Sequence, residues 1–134
     1  MMERLADFEI ELLRAKNFAH LVTLGADGSP RSTVTWVDVD PEAGLVLVNS
    51  AVGRAKDRDL RRDPRVSLSV QDGADGHRYV AIAGRVEELV TGDEAERHID
   101  VLSRRYDGEP WTYQPRQVRV LYRIRPDRIY RHGD

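Results

Sequence analysis

Leu45-Val46-Leu47-Val48-Asn49 is an unbroken apolar run, and a few residues later it has become the charged stretch from Arg54 to Arg62. A run that short without polar alternation suits a strand covered on both faces. The charged stretch stops at Asp63-Pro64 and reads as a short helix, because the residue before a proline is pushed out of helical geometry. Between them lies the junction Asn49-Ser50-Ala51-Val52-Gly53-Arg54-Ala55-Lys56. A strand that feeds a helix N-terminus there leaves backbone N–H groups unpaired and presents the positive end of the helix dipole. Ser50, Arg54 and Lys56 add a hydroxyl, a guanidinium and an ammonium, and Lys56 is one of only two lysines in the chain. A phosphate-bearing ligand is expected at this junction.

Around that strand the pattern predicts an α+β domain. Residues 2–16 place Leu5, Phe8, Leu12 and Leu13 at helical spacing among charges. Phe18 to Leu24 and Arg31 to Val39 read as a hairpin joined by Gly25-Ala26-Asp27-Gly28-Ser29-Pro30. The turn at Asp40 to Gly44 then makes the apolar run a third adjacent antiparallel strand. Val66 to Val70 alternates as a strand, and Gly73 to Gly76 turns the chain into a long strand from Tyr79 to Val90. Gly84 inside that strand predicts a bulge or bend of the kind that closes a sheet. Thr91 and Asp93 look like caps of a helix that ends near Tyr106, and Val118 to Ile124 with Ile129-Tyr130 supply the final strands. The whole, residues 1–134, reads as one domain with a mainly antiparallel, closed sheet and flanking helices.

With 134 residues the chain holds one core but no separate cofactor and substrate domains. A large ligand would need a second chain to cover it. The net charge of −2, with a third of the residues charged, gives no basic field, so nucleic acid is not an expected partner. There is no cysteine, which excludes disulfides, iron–sulfur clusters and thiol catalysis. The acidic N-terminus lacks a signal-peptide core and no apolar run spans a membrane, so a cytoplasmic protein is expected. His20, His77, His98 and His132 show no metal-site spacing, and no metal is expected. His20 is read as a strand residue packed between neighbours and His98 as a helix-surface residue. Ser67 and Ser69 alternate on a strand without a nucleophile context.

Taken alone, several site candidates have plainer readings. Arg54 and Lys56 could pair with Asp57, Asp59 or Asp63 on the helix surface. Arg31 and Ser32 could be the exposed start of a hairpin strand, and Trp36 a core aromatic. Trp111 and Tyr113 could cover the end of the barrel.

The ordered combination of Ala19-His20-Leu21-Val22-Thr23-Leu24, Asp27-Gly28-Ser29-Pro30-Arg31, Trp36-Val37-Asp38 and Gly53 through Leu68 resembles the pyridoxamine 5′-phosphate oxidase-like superfamily of FMN-binding split β-barrels. The short chain and the run from Lys56 through Asp63-Pro64-Arg65-Val66 are most similar to its small members that use the deazaflavin F420. That resemblance implies a homodimer with cofactor clefts at the interface. It implies that Arg31, Ser32, Thr33, Val34 and Trp36 flank the ring system, that Asn49, Ser50 and Ala51 continue that wall, and that Arg54 and Lys56, with Ala55 between them, hold the phosphate. The partner subunit would add the segment of His77 and Tyr79, together with Trp111-Thr112-Tyr113. The implied activity is hydride transfer from reduced F420 to an unsaturated or conjugated small-molecule acceptor, biliverdin-like or quinone-like. The alternatives are an FMN-dependent oxidase or reductase of the same fold and a non-catalytic carrier of F420 or flavin. No catalytic side chain is assigned, because the cofactor carries the chemistry. Two departures stand out: Ala55 interrupts the basic pair, and Ile129 to Asp134 lacks the substrate-binding C-terminal segment of true pyridoxamine phosphate oxidases.

Overall fold

The structure, a computed structural model, describes residues 2–134. Its elements run α1 (Asp7–Arg14), β1 (Ala19–Leu24), β2 (Pro30–Thr35), β3 (Asp38–Asp40), β4 (Leu45–Ala51), α2 (Ala55–Arg62), β5 (Arg65–Gln71), β6 (Tyr79–Thr91), α3 (Asp93–Tyr106) and β7 (Arg119–His132). The seven strands form one sheet in the order β2-β1-β5-β6-β7-β4-β3, and every pairing is antiparallel. The two edge strands follow one another in sequence, separated only by Trp36 and Val37, so the chain itself bridges the sheet's edges. That covalent bridge without a closing ladder is what makes the barrel split.

This corrects the expectation of one strand from Arg31 to Val39 within three adjacent strands. β2 pairs with β1, Thr35 opposite Ala19, while β3 pairs with β4, Asp38 opposite Leu47. β4 therefore lies between β7 and β3 rather than beside β2. The two expected C-terminal strands are likewise one, β7, which runs through Pro126. Pro126 sits opposite Gly84 at a shift in the β6–β7 register, where a missing N–H is tolerated. A Cβ on Gly84 would lie 2.1 Å from the carbonyl oxygen of Arg125, so only glycine lets the strands approach. α3 is capped by neither Thr91 nor Asp93: its N-cap is Gly92 at φ 85°, with Asp93, Glu94 and Glu96 placed against the dipole in the first turn.

β4 is buried along its whole length. Val46 and Val48 enter the barrel core with Leu21, Leu68, Ile82, Val120 and Tyr122, whereas Leu45 and Leu47 pack outward with Leu121 against Ala95 of α3. α1 closes one end of the barrel with Leu12 and Leu13, each worth roughly 1.5–3 kcal/mol of burial. No helix among the described residues is long and apolar enough to cross a membrane. No cluster of three or more histidine, cysteine or acidic side chains among the described residues could hold a metal.

Candidate functional site

The helix after β4 is amphipathic in an unusual sense, since its buried face carries Asp57 and Asp59 beside Leu60. Asp57 accepts from the Gly53 amide at 2.9 Å, from the Tyr122 hydroxyl at 2.8 Å and from Arg61 Nε at 3.0 Å. Burial pushes this carboxyl up, but those three donors outweigh it and hold it below its ordinary range. The same contact, added to burial, raises Tyr122 far above a free phenol. Asp59 accepts from Thr23 Oγ1 and Arg31 Nε, both at 2.8 Å, and from Arg62 at 2.9 Å. Asp63 pairs with Arg65 at 2.7 Å. The three aspartates that could have neutralised Arg54 and Lys56 are thus committed to other bases, and surface pairing of those two cations does not occur among the described residues.

Arg54 and Lys56 instead face a cavity of about 290 Å³, joined there by Arg119 from the start of β7. None of the three has a carboxylate within ion-pair distance among the described residues. Burial, then Arg54, then Arg119, pushes the Lys56 ammonium below its ordinary value. Arg119 is 4% exposed, and burial with the Arg54 charge pushes it down to about 10. Its Nε donates to Asn49 Oδ1 at 3.0 Å, its Nη1 to Gln117 Oε1 at 3.0 Å, and its guanidinium lies 5.0 Å above the Trp111 ring. Three cations that repel one another, with no carboxylate at ion-pair distance among the described residues and only Glu96 acting on Arg119 from farther away, make a place where an anion would be favoured.

The rest of the cavity wall is apolar. Phe18, Val34, Trp36, Ile99 and Trp111 line it, and Trp36 stacks on Tyr106 at 5.2 Å with the rings 8° apart. Tyr106 is itself tied by its hydroxyl to the Asn17 and Val37 carbonyls, so the Trp36 plane rests on a fixed support. A shallower depression of about 690 Å³ over Ala51, Gly53, Gln114 and Arg116 shares Arg54 with the cavity.

Among the residues singled out from sequence, Val34, Trp36, Asn49, Arg54, Lys56 and Trp111 come together on the cavity. Arg31 is held by Asp59 and does not line it, and Ser32 and Thr33 stand beside it on β2. Ser50 alternates with Asn49 and faces the barrel interior, fully buried, its hydroxyl unpartnered among the described residues. Ala51 contributes to the neighbouring depression, and Ala55 is half-buried at the start of α2. His77 lies in an exposed turn, and Tyr79 stacks on His132 at 5.3 Å, both outside the cavity of their own chain. Thr112 and Tyr113 are exposed beyond it. His20 is exposed on β1, whereas His98, expected on the helix surface, is almost wholly covered. Arg119, Phe18, Thr35 and Ile99 are site residues that the sequence did not single out. The signal for Arg119 was present: in Val118-Arg119-Val120-Leu121-Tyr122 it interrupts an apolar strand on the face shared with Leu121.

A split antiparallel barrel with a cavity lined by aromatic side chains and by three cations has the shape and charge to suit a flat ligand with an anionic arm. Residues 7–133 match the model of the pyridoxamine 5′-phosphate oxidase family, and the chain belongs to that family. It is 32% identical over 95 residues to a 5a,11a-dehydrotetracycline/5a,11a-dehydrooxytetracycline reductase of Streptomyces rimosus, covering 66% of this chain and 67% of that protein. It is 29% identical over 132 residues to an F420H(2)-dependent biliverdin reductase of Mycobacterium tuberculosis, covering 98% of this chain and 90% of that one. A solved F420 reductase superposes with a TM-score of 0.81 at 29% identity, covering 94% of this chain and 98% of the other.

Proposed function

We propose that this protein is an F420-dependent oxidoreductase that reduces an unsaturated or conjugated small molecule. The observation that carries the proposal is the cavity lined both by Arg54, Lys56 and Arg119, which have no ion-pair partner among the described residues, and by Trp36, Val34 and Trp111. The residues present fit such a cofactor: a planar tricycle against the aromatic and aliphatic wall, and the phosphate among the three cations. When bound, F420 supplies a two-electron hydride donor. Lys56 and Arg54 bind the anionic arm, Trp36 fixes the plane of the ring through its stack on Tyr106, and the apolar wall excludes water from the reacting face. The F420 reductases among the relatives support the deazaflavin over FMN. FMN stays a competitor because two of the four basic residues of α2, Arg61 and Arg62, are spent on aspartates, and Arg65 just beyond it on Asp63, which leaves fewer cations for a polyglutamate tail.

The cavity is open along Phe18 and Val34, which are 49% and 60% exposed, and a second copy of the chain is the cover proposed for that side. In such a homodimer the partner's segment around Tyr79 would complete the cleft. The test is a side-by-side titration of the purified protein with F420 and FMN, with size measured by light scattering, followed by turnover of reduced F420 against a panel of acceptors. Micromolar F420 binding to a dimer, weakened at least about tenfold by Lys56→Ala with Arg54→Ala, is expected. FMN preference would reassign the cofactor, and tight F420 binding without turnover of any acceptor would favour a carrier. Unchanged affinity in the double variant would remove the phosphate site.

A further inference from the structure

His98 projects from α3 with its side chain 10% exposed. Its Nε2 is 3.1 Å from Asp38 Oδ2, and its Nδ1 is 3.2 Å from Asn49 Nδ2. Which end of the Asn49 amide is oxygen can be read from its other two partners, which hold it together with His98. Arg119 Nε, which can only donate, lies 3.0 Å from Asn49 Oδ1, and the Ala95 carbonyl, which can only accept, lies 3.0 Å from Asn49 Nδ2. Turning the amide over would set donor against donor on one side and acceptor against acceptor on the other. Asn49 therefore directs its second N–H at His98, and Nδ1 must be bare to receive it. The ring proton is left on Nε2, donating to Asp38, whose other oxygen accepts from Arg105 at 2.9 Å.

We infer that His98 is a positioning residue for the anion pocket: in its neutral, Nε2-protonated form it orients Asn49, and Asn49 in turn holds Arg119 on the cavity. The inference rests on the reading of that cavity as an anion site. A second proton on His98 would set N–H against the Asn49 amino group, and relief by turning Asn49 would take the acceptor from Arg119. The groups facing His98 are Asp38 from β3, Asn49 from β4, Arg105 and the Ala95 carbonyl from α3, and Arg119 from β7 behind Asn49.

The tautomer is read first, on the ¹⁵N-labelled protein without ligand. At about pH 8 the imidazole spectrum of His98 is expected to show a bare Nδ1 and a protonated Nε2. The opposite tautomer overturns the inference without any variant having to fold. The binding arm uses F420 as probe. His98→Leu is expected to weaken it about tenfold, the loss of a charge-assisted contact. His98→Asn, whose oxygen replaces Nδ1 as acceptor but cannot titrate, is expected to restore affinity to within about twofold. Unchanged binding in His98→Leu alongside weakened binding in Lys56→Ala overturns the inference and leaves the anion site standing. Unchanged binding in both overturns the two together.

Discussion

Lys56→Met should move stability and ligand affinity in opposite directions. The ammonium is half-buried near Arg54 and Arg119 with no carboxylate partner, so burial first and the two guanidinium charges second make the folded protein hold its proton less tightly than the unfolded chain does at 10.5. The sign follows from linkage. Between the lowered folded pKa and 10.5 the unfolded chain binds more protons, so stability rises with pH across that window, and the penalty is felt in full below it. Methionine keeps the apolar stem and drops the charge. Discounted for solvent screening of the exposed half, the gain is a few tenths to about 1 kcal/mol, or up to about 3–5 °C in melting temperature for a domain of this size. The alkaline rise in stability should vanish with it.

The same substitution removes a charge-assisted contact to the ligand worth about 1.5–3 kcal/mol, a loss of roughly 12- to 160-fold in affinity. Saturating ligand at about 100 times its dissociation constant stabilises the parent by about 2.7 kcal/mol, and at the same concentration the variant should be stabilised by only about 0.3–1.3 kcal/mol. Calorimetric melts with and without F420, at several pH values, read both effects. The reasoning is refuted if the ligand-free variant melts lower than the parent, or if F420 shifts the two melts equally.

Arg119→Lys keeps the charge but loses the guanidinium's bonds to Asn49 and Gln117 and its stack on Trp111, so F420 affinity in a fluorescence titration should fall at least about fivefold. Gly84→Ala meets the Arg125 carbonyl at 2.1 Å, backbone that neither strand can withdraw, and should cost about 2 kcal/mol or more in denaturant midpoint; a neutral result would refute the tight β6–β7 crossing. Asp57 and Asp59 are raised by burial and lowered more by their donors, so their stabilisation is complete above the ordinary 3.8 and is lost as pH falls through and below it. Melts followed from about pH 6 down should show a steep fall that Asp59→Asn flattens. Tyr122→Phe, which strips one donor from buried Asp57, should lower stability by about 1–2 kcal/mol in the same melts.

The elements were legible where periodicity speaks locally. β4 betrayed its double burial by an unbroken apolar run, and Gly84 marked the bulge because nothing larger fits. What failed was long-range pairing. The run from Arg31 to Val39 looks uniform in residue type, yet its first half pairs with β1 and its second with β4, a division set by barrel closure rather than by either half's composition. Gly92 took the cap from Thr91 and Asp93 because the chain needs a positive φ to leave β6 and enter α3. Lys56, singled out through its rarity and its place at a helix start, lines the cavity. Arg119 and His98 were missed because arginine is common in this chain and a helical histidine carries no sign of what packs over it.

The aspartates of α2 explain why an arginine-rich helix ends up with only some of its cations free. Asp57 and Asp59 point inward, where Tyr122, Thr23 and the Gly53 amide anchor them to the barrel. Their remaining valence draws in Arg61, Arg62 and Arg31, which lie one helical turn away or on the adjacent β2, and Asp63 takes Arg65. Arg54 and Lys56 lie ahead of these carboxylates, at the N-terminal end of the helix, where the dipole already disfavours cations. Nothing in the fold rewards two bases there, with a third, Arg119, brought up from β7 and stripped of solvent. A bound anion relieves all three unfavourable terms at once: the dipole, the mutual repulsion and the desolvation. The arrangement is therefore electrostatically unfavourable on its own, and that is the physical ground for the anionic ligand proposed for it.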